Sequence, residues 1–292
     1  PLMQVVPIVI LPEPGIGSWG PQAVCLVAGI ALVVLLCVAL RRLRATTLVA
    51  PCLWALLVGC CLTILAQLHL ATGGATSATL RFAVAAATFC PLMAVLGAKR
   101  PQHRGWQWVV ASLWLVLVWP AGQAWLSRSE VALFVAWKLF LIGLAVVGLL
   151  NFLSTRNWLA ALLVAGGQVA LLTEFIQPQL GVDPGQMMTL ATVAFLLAGL
   201  AVLVTSPPPR AWGGTSELSL AEFNNRWQTF RDSYGTLWAL RIQGRVNETA
   251  ALRHWPFRLA WTGYHPTGDD APNDAQLQEL AETWATLMRR FW

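Results

Sequence analysis

Seven apolar runs of roughly 20 residues, separated by short polar segments, dominate the first two thirds of this chain. They cover residues 23–40, 48–70, 80–98, 106–126, 131–153, 158–176 and 187–205. About 20 apolar residues in a helix cross the hydrocarbon layer of a bilayer. The pattern therefore predicts an all-α integral membrane bundle of seven transmembrane helices, residues 22–205, with a small helical cytoplasmic domain after it.

Basic residues are distributed unevenly between the two ends of these runs. With seven spans, one end receives eight basic residues, Arg41, Arg42, Arg44, Lys99, Arg100, Arg104, Arg156 and Arg210, and the other receives Arg81 and Arg128. Short cytoplasmic loops are enriched in lysine and arginine. The loop of Lys99, Arg100 and Arg104 therefore sets the topology, with the N-terminus outside and the C-terminus in the cytoplasm.

Two proline-rich segments divide the chain further. Residues 1–21 contain five prolines and predict an extended extracytoplasmic leader, because proline cannot continue a helix. Residues 206–215 contain three prolines and two glycines and predict a linker. The cytoplasmic tail is then residues 216–292.

The tail carries two apolar seams at helical spacing. Ser219 and Glu222 form a capping-box pattern, and Asn273 with Gln276 starts a last helix of about 274–291. The first seam is Leu220, Phe223, Trp227, Phe230, Tyr234 and Leu237, and the second is Leu277, Leu280, Trp284, Leu287 and Phe291. Such narrow seams pack against each other or against a third element. Phe223, Trp227, Phe230, Tyr234, Trp284 and Leu287 form the candidate seam for docking.

The tail is also divided by charge. Residues 226–258 carry six arginines, and the acidic residues of the tail follow mostly after residue 268. The basic half either pairs with the acidic half or faces anionic headgroups or a partner protein.

Composition restricts the function classes. The chain is 57% hydrophobic and 11% charged, against about 25% charged residues in soluble proteins. The formal net charge of +6 lies largely in short loops and reports topology, so no nucleic-acid partner is expected. The six cysteines lie inside spans without metal-ligand spacing, and protease, lipase and nucleotide motifs are missing. We expect no metal, no cofactor and no catalytic residues.

The polar residues within the apolar layer are the remaining candidates for function, because charges there are costly and usually paired or functional. Lys138 and Glu174 lie toward the outer side of neighbouring spans, and the sharpest hypothesis pairs them. Alternatively, Lys138 extends to the headgroups and Glu174 is simply interfacial. His69 and Arg81 lie at the same face, and Gln168 is placed to line the floor of an outer polar vestibule.

Two segments carry a family resemblance. Residues 96–107, LGAKRPQHRGWQ, and residues 230–241, FRDSYGTLWALR, resemble uncharacterised multi-pass membrane proteins of planctomycete-type bacteria. The resemblance implies a bacterial inner (cytoplasmic) membrane and carries no activity.

The sequence alone therefore favours a non-enzymatic subunit or scaffold of a membrane complex, with the lipid bilayer and other membrane or cytoplasmic proteins as partners. The alternative is a transporter or ligand sensor that uses the outer cluster around Lys138 and Glu174. A membrane enzyme is the third option, with the same outer region as its site.

Overall fold

The structure, a computed structural model, describes residues 19–74, 76–205, 219–267 and 272–291. Most of the leader, residues 1–18, and the whole predicted linker, 206–215, lie outside the described residues. Residues 19–21 of the predicted leader belong to the first helix. The prediction of an extended leader is therefore wrong for these three residues.

The described residues contain seven helical segments long and apolar enough to cross a membrane, as the hydropathy pattern predicts. The bundle helices are α1 (Trp19–Leu43), α2 (Val49–Ala71), α3 (Ala78–Ala87), α4 (Cys90–Leu96), α5 (His103–Ser127), α6 (Val135–Leu153), α7 (Trp158–Ile176) and α8 (Pro184–Thr205). Helices α3 and α4 together form the third span. We call the end that carries Arg41, Arg42, Lys99 and Arg156 the basic end, and the end that carries Arg81 and Glu174 the opposite end.

The third span is interrupted halfway. Thr88 and Phe89 make i to i−3 bonds to Ala85 and Ala86, and α4 begins with Cys90 and Pro91. Proline has no N–H to donate, so the regular ladder is lost before it and the turn tightens. The third span therefore consists of two helices, α3 and α4, which pack in different halves of the bundle.

In the tail, the described residues form two helices and a two-stranded hairpin. Helix α9 covers Leu220–Leu252, strands β1 (Phe257–Leu259) and β2 (Tyr264–Pro266) pair antiparallel, and α10 covers Asp274–Met288. The sequence does not predict the hairpin. Both predicted helix starts are confirmed, because the Ser219 side chain accepts from the Glu222 N–H and Asn273 forms a full capping box with Gln276.

The two predicted seams pack against each other. The ring centroids of Trp227 and Trp284 lie 6.3 Å apart, and those of Phe230 and Phe291 lie 5.0 Å apart. Phe223, Trp227, Phe230, Tyr234 and Trp284 are each at most 2% exposed. This aromatic cluster is the core of the tail.

The first seam changes register at Gly235. Its backbone (φ 80°, ψ 178°) is non-helical and divides α9 into two segments. Glycine has access to this region because it lacks a Cβ. As a result Trp238 is buried at 7% exposure, and Leu237, which the regular spacing places in the seam, is 51% exposed.

The tail packs directly against the basic end of the bundle. The Trp238 indole donates to the carbonyl of Val95 (2.9 Å), and the Leu237 N–H donates to Oδ1 of Asn151 (3.1 Å). Backbone bonds join Arg100 N–H to Arg290 O (2.8 Å) and Thr47 N–H to Phe291 O (2.9 Å). The buried residues Leu48, Val95 and Ala98 of the bundle belong to the same apolar cluster as the tail core.

Candidate ligand-binding cavity

The predicted outer polar cluster forms in part, with different pairing. Glu174 pairs with Arg81, through Nε to Oε1 at 2.9 Å and Nη2 to Oε2 at 3.0 Å. Lys138 Nζ instead donates to the carbonyl of Ile176 at 2.7 Å. The hypothesis of a Lys138–Glu174 pair is therefore wrong, because the planar fork of Arg81 matches the carboxylate and the ammonium satisfies the end of α7.

His69 extends this network. Its Nδ1 lies 3.1 Å from Oγ1 of Thr76, and the Arg81 guanidinium donates to the Thr76 carbonyl. Arg81, Glu174, His69 and Thr76 thus form one hydrogen-bonded cluster that joins α2, α3 and α7. Its charges are paired, so the arrangement is that of a structural clasp between helices.

Gln168 lies elsewhere. It is buried at the middle of α7 and donates from Nε2 to the carbonyl of Thr88 at 3.1 Å. It thereby satisfies a backbone group at the break between α3 and α4. Gln168 is therefore bonded to the third span and is not part of the cluster that Arg81 and Glu174 form.

A cavity of about 450 Å³ begins at this point and extends toward the basic end. Six helices contribute to its wall, namely α1, α2, α4, α6, α7 and α8. Neighbouring members of the ring contact each other, and α4 meets α6 where Leu92 packs on Gly148. The lining side chains are predominantly apolar.

The break in the third span explains why the cavity occupies one half of the bundle. In the opposite half, α3 fills the centre, with Phe82, Ala85 and Ala86 at most 1% exposed. Phe82 also packs edge-to-face on Phe175 of α7 (5.0 Å). Beyond Thr88 the span continues as α4 in the cavity wall, so the centre is left unfilled between Thr88 and the basic end.

The tail covers the mouth of the cavity. Asp232 and Ser233 of α9 line it together with Arg42 and Asn157. The Asn157 amide donates to the Asp232 carbonyl at 2.8 Å, and the Asp232 carboxylate accepts from Arg231 Nη2 at 2.9 Å. Arg156 Nε lies 3.7 Å from the same carboxylate. An apolar interior thus ends in a polar mouth with charges of both signs.

Sequence reasoning missed Asp232, which is 5% exposed and therefore a buried carboxylate. A signal was present: an Arg–Asp dipeptide interrupts an otherwise aromatic stretch, at residues 231 and 232. Without the fold, nothing indicated that Arg156 and Asn157 would meet it.

The candidate docking seam of the tail is occupied by the tail itself. Five of its six residues are almost fully buried, and Leu287 is half-buried beside them. The predicted charge contact between the two halves of the tail forms between Arg253 and Glu279 (3.3 Å). Within the basic half and the helix that carries it, Arg226 also pairs with Glu222 and Arg231 with Asp232.

The basic loop lies where the tail meets the bundle. Lys99 lines a second pocket there, and Arg100 and Arg104 are exposed beside it. Among the described residues, no group of three or more His, Cys, Asp or Glu side chains could hold a metal ion.

Comparison of the chain with protein-family models, with curated proteins and with solved structures gives no significant match. The resemblance to uncharacterised bacterial membrane proteins therefore stays an expectation.

Proposed function

We propose that this chain is a non-enzymatic, multi-pass membrane protein that binds a lipid hydrocarbon chain in the central cavity of its basic half. The supporting observation is the cavity itself, which is lined by six helices of the bundle, apolar inside and polar at one end. Its volume of about 450 Å³ lies within the range of small-ligand sites, roughly 300–1,000 Å³.

The polar groups at the two ends limit the chemistry of the ligand. At the blind end, Gln168 and Thr88 already bond to each other, so this end suits an apolar terminus. At the mouth, the exposed Arg42 offers a charged donor for a polar head, beside Asn157 and Asp232, which bond to each other. An amphipathic molecule that enters tail first satisfies both ends.

We also propose that the protein lies in a bacterial cytoplasmic membrane with its N-terminus outside and its tail in the cytoplasm. The distribution of basic residues supports this orientation, and the tail contacts the end that carries them. The cavity then opens toward the cytoplasmic leaflet.

The other two sequence-based functions have weaker support. A scaffold that docks partners through the aromatic seam would need those side chains exposed, whereas they form the tail core. A transporter or sensor at the outer cluster would need free polar groups, whereas Glu174 and Arg81 are paired. A partner protein that co-purifies with this protein in a fixed ratio would favour the scaffold function again.

Binding of a lipid hydrocarbon chain is tested by photolabelling the purified full-length protein with a diazirine-bearing palmitic acid and mapping the modified peptides. We expect labels on α4, α6 and α7 peptides that line the cavity, and loss of label when unmodified palmitate competes.

The matched variants are Ala161→Phe, which places a ring in the cavity, and Leu162→Phe, which places it at an exposed position of the same helix. Ala161→Phe should remove most of the competable label and Leu162→Phe should leave it. Equal labelling of the two variants, in proteins of equal thermal stability, would contradict the proposal.

A further inference from the structure

A second pocket, separate from the central cavity, lies between the basic loop and the tail and has a volume of about 570 Å³. We call it the cationic pocket. Four positively charged residues line it, from three distant parts of the chain: Lys99, Arg241, Arg245 and Arg290. The remaining lining residues are Gln102, Trp238, Ile242, Leu287 and Phe291.

The charge of this pocket is poorly balanced. Within the described part of the chain, its lining includes four cations and no carboxylate. Among the described residues, one ion pair includes a pocket cation, Arg245 with Glu248 at 3.3 Å, and both side chains are about two-thirds exposed. A pair so exposed contributes little and is screened by salt.

The cations also affect one another. Burial, together with the positive charges of Arg290, Arg241 and Arg245, lowers the pKa of Lys99 below its ordinary value. Like charges held near each other raise the free energy of the unliganded protein. An anion placed among them would relieve this repulsion.

The pocket is built from fixed backbone and ring positions. The bond from Arg100 N–H to Arg290 O fixes the basic loop to the end of the tail (2.8 Å). Trp238 is held by its bond to Val95 O, and the Arg241 guanidinium lies over its ring at 5.5 Å. The backbone around the pocket is therefore ordered before a ligand binds, and binding has to order only the exposed arginine side chains.

We propose that the cationic pocket binds a phosphate-bearing anion. Guanidinium groups match phosphate oxygens in a bidentate manner, and Lys99 adds a point charge. Lys99 lies between the last residue of α4 and the first residue of α5, so the pocket is at the level where lipid headgroups lie. The apolar wall of Ile242, Leu287 and Phe291 suits the carbon part of a phosphate ester.

The phosphate ester has two possible sources, a lipid headgroup or a free phosphorylated solute. The experiment measures binding to full-length protein in detergent micelles by thermal shift and by tryptophan fluorescence. The probes are dioctanoyl phosphatidic acid, glycerol 3-phosphate and, as the neutral lipid, dioctanoyl phosphatidylcholine. Binding of phosphatidic acid alone identifies a headgroup site, and similar binding of glycerol 3-phosphate identifies a solute site.

The variants are Arg241→Gln and Arg290→Gln, with Arg258→Gln as the charge-matched control at an exposed position outside the pocket. Each pocket variant should weaken binding of the phosphate probe about tenfold, the loss typical of one charge-assisted interaction. Arg258→Gln should change it less than about twofold.

The melting temperatures of the unliganded proteins serve as the control for correct folding. Because the substitutions remove repulsion, the melting temperature of unliganded Arg290→Gln should equal or exceed that of the wild type. Absence of binding by both phosphate probes, or an equal loss of affinity in Arg258→Gln, would overturn the proposal. So would a lower melting temperature in both pocket variants, because the arginines would then be structural.

Discussion

The two ends of the bundle use charged residues in opposite ways. At the end that carries Arg81 and Glu174, these two residues form a bidentate ion pair, and 16% of each side chain is exposed. Thr76 and His69 extend the hydrogen-bond network. At the basic end, Lys99, Arg241 and Arg290 line the cationic pocket, and no carboxylate belongs to its lining in the part of the chain that the structure describes. Paired charges indicate a structural role, and concentrated unpaired charges indicate a binding role.

The arrangement at the basic end depends on one backbone position. A Cβ on Gly235 would overlap the Asn151 amide nitrogen and approach the Asn151 carbonyl oxygen to 2.9 Å, at a φ that side chains avoid. We expect Gly235→Ala to lower the free energy of unfolding by about 3 kcal/mol, from backbone strain plus overlap. It should also abolish phosphate binding, since Arg241 and Arg245 follow Gly235 on α9.

Gly244→Ala is the control for this prediction, because a Cβ there meets no atom within 4 Å. In a regular helix this change stabilises by about 0.5–1 kcal/mol. Chemical unfolding of the two variants, monitored by tryptophan fluorescence, measures both effects. Equal stability of Gly235→Ala and wild type would show that the tail does not pack on the bundle as described.

The charged network at the opposite end gives the next largest effect. Glu174→Gln leaves the Arg81 guanidinium without its carboxylate in a mostly buried setting, and we expect a loss of about 2–3 kcal/mol in an SDS-unfolding titration. Glu130→Gln, at an exposed position, should change nothing measurable. The double variant Arg81→Met/Glu174→Met should recover part of the loss, because no unpaired charge remains.

Salt should distinguish the two ends. Higher ionic strength screens exposed charges that repel each other and barely affects a buried pair. Added sodium chloride should therefore raise the melting temperature of unliganded wild type, and less so that of Arg241→Gln/Arg290→Gln. For wild type, we expect the free energy of unfolding to be about 0.5–1 kcal/mol higher at high salt than at low salt. An identical salt response of the two proteins would contradict the view that the pocket holds unbalanced charge.

The sequence predicted the parts of this fold that depend on local pattern. The seven spans follow from runs of about 20 apolar residues, and the helix starts at Ser219 and Asn273 follow from capping residues. The mutual packing of the two aromatic seams followed from their spacing. Each of these signals lies within a single stretch of chain, so no knowledge of distant contacts was needed.

The features that failed or were missed depend on contacts between distant segments. Gly235 changed the register, so that Trp238 rather than Leu237 faces the core. The central cavity depends on where α4 lies after the break at Thr88, and the cationic pocket collects residues from positions 99 to 290. Hydropathy is a one-dimensional quantity and does not contain these placements.

The pairing of Glu174 illustrates the same limit, and the coupling of Glu174 to Lys138 is the smallest effect that we predict. Sequence proximity in neighbouring spans suggested Lys138, whereas the carboxylate bonds to Arg81, 93 positions away. Lys138 instead donates to the Ile176 carbonyl at 2.7 Å, so Lys138→Met should cost about 1 kcal/mol for one hydrogen bond. In a double-mutant cycle, Lys138 and Glu174 should be coupled by less than about 0.5 kcal/mol, and Arg81 and Glu174 by more than about 1 kcal/mol. If Lys138 and Glu174 were coupled as strongly as Arg81 and Glu174, the carboxylate of Glu174 would bond to Lys138 as well, and the pairing of Glu174 with Arg81 alone would be wrong.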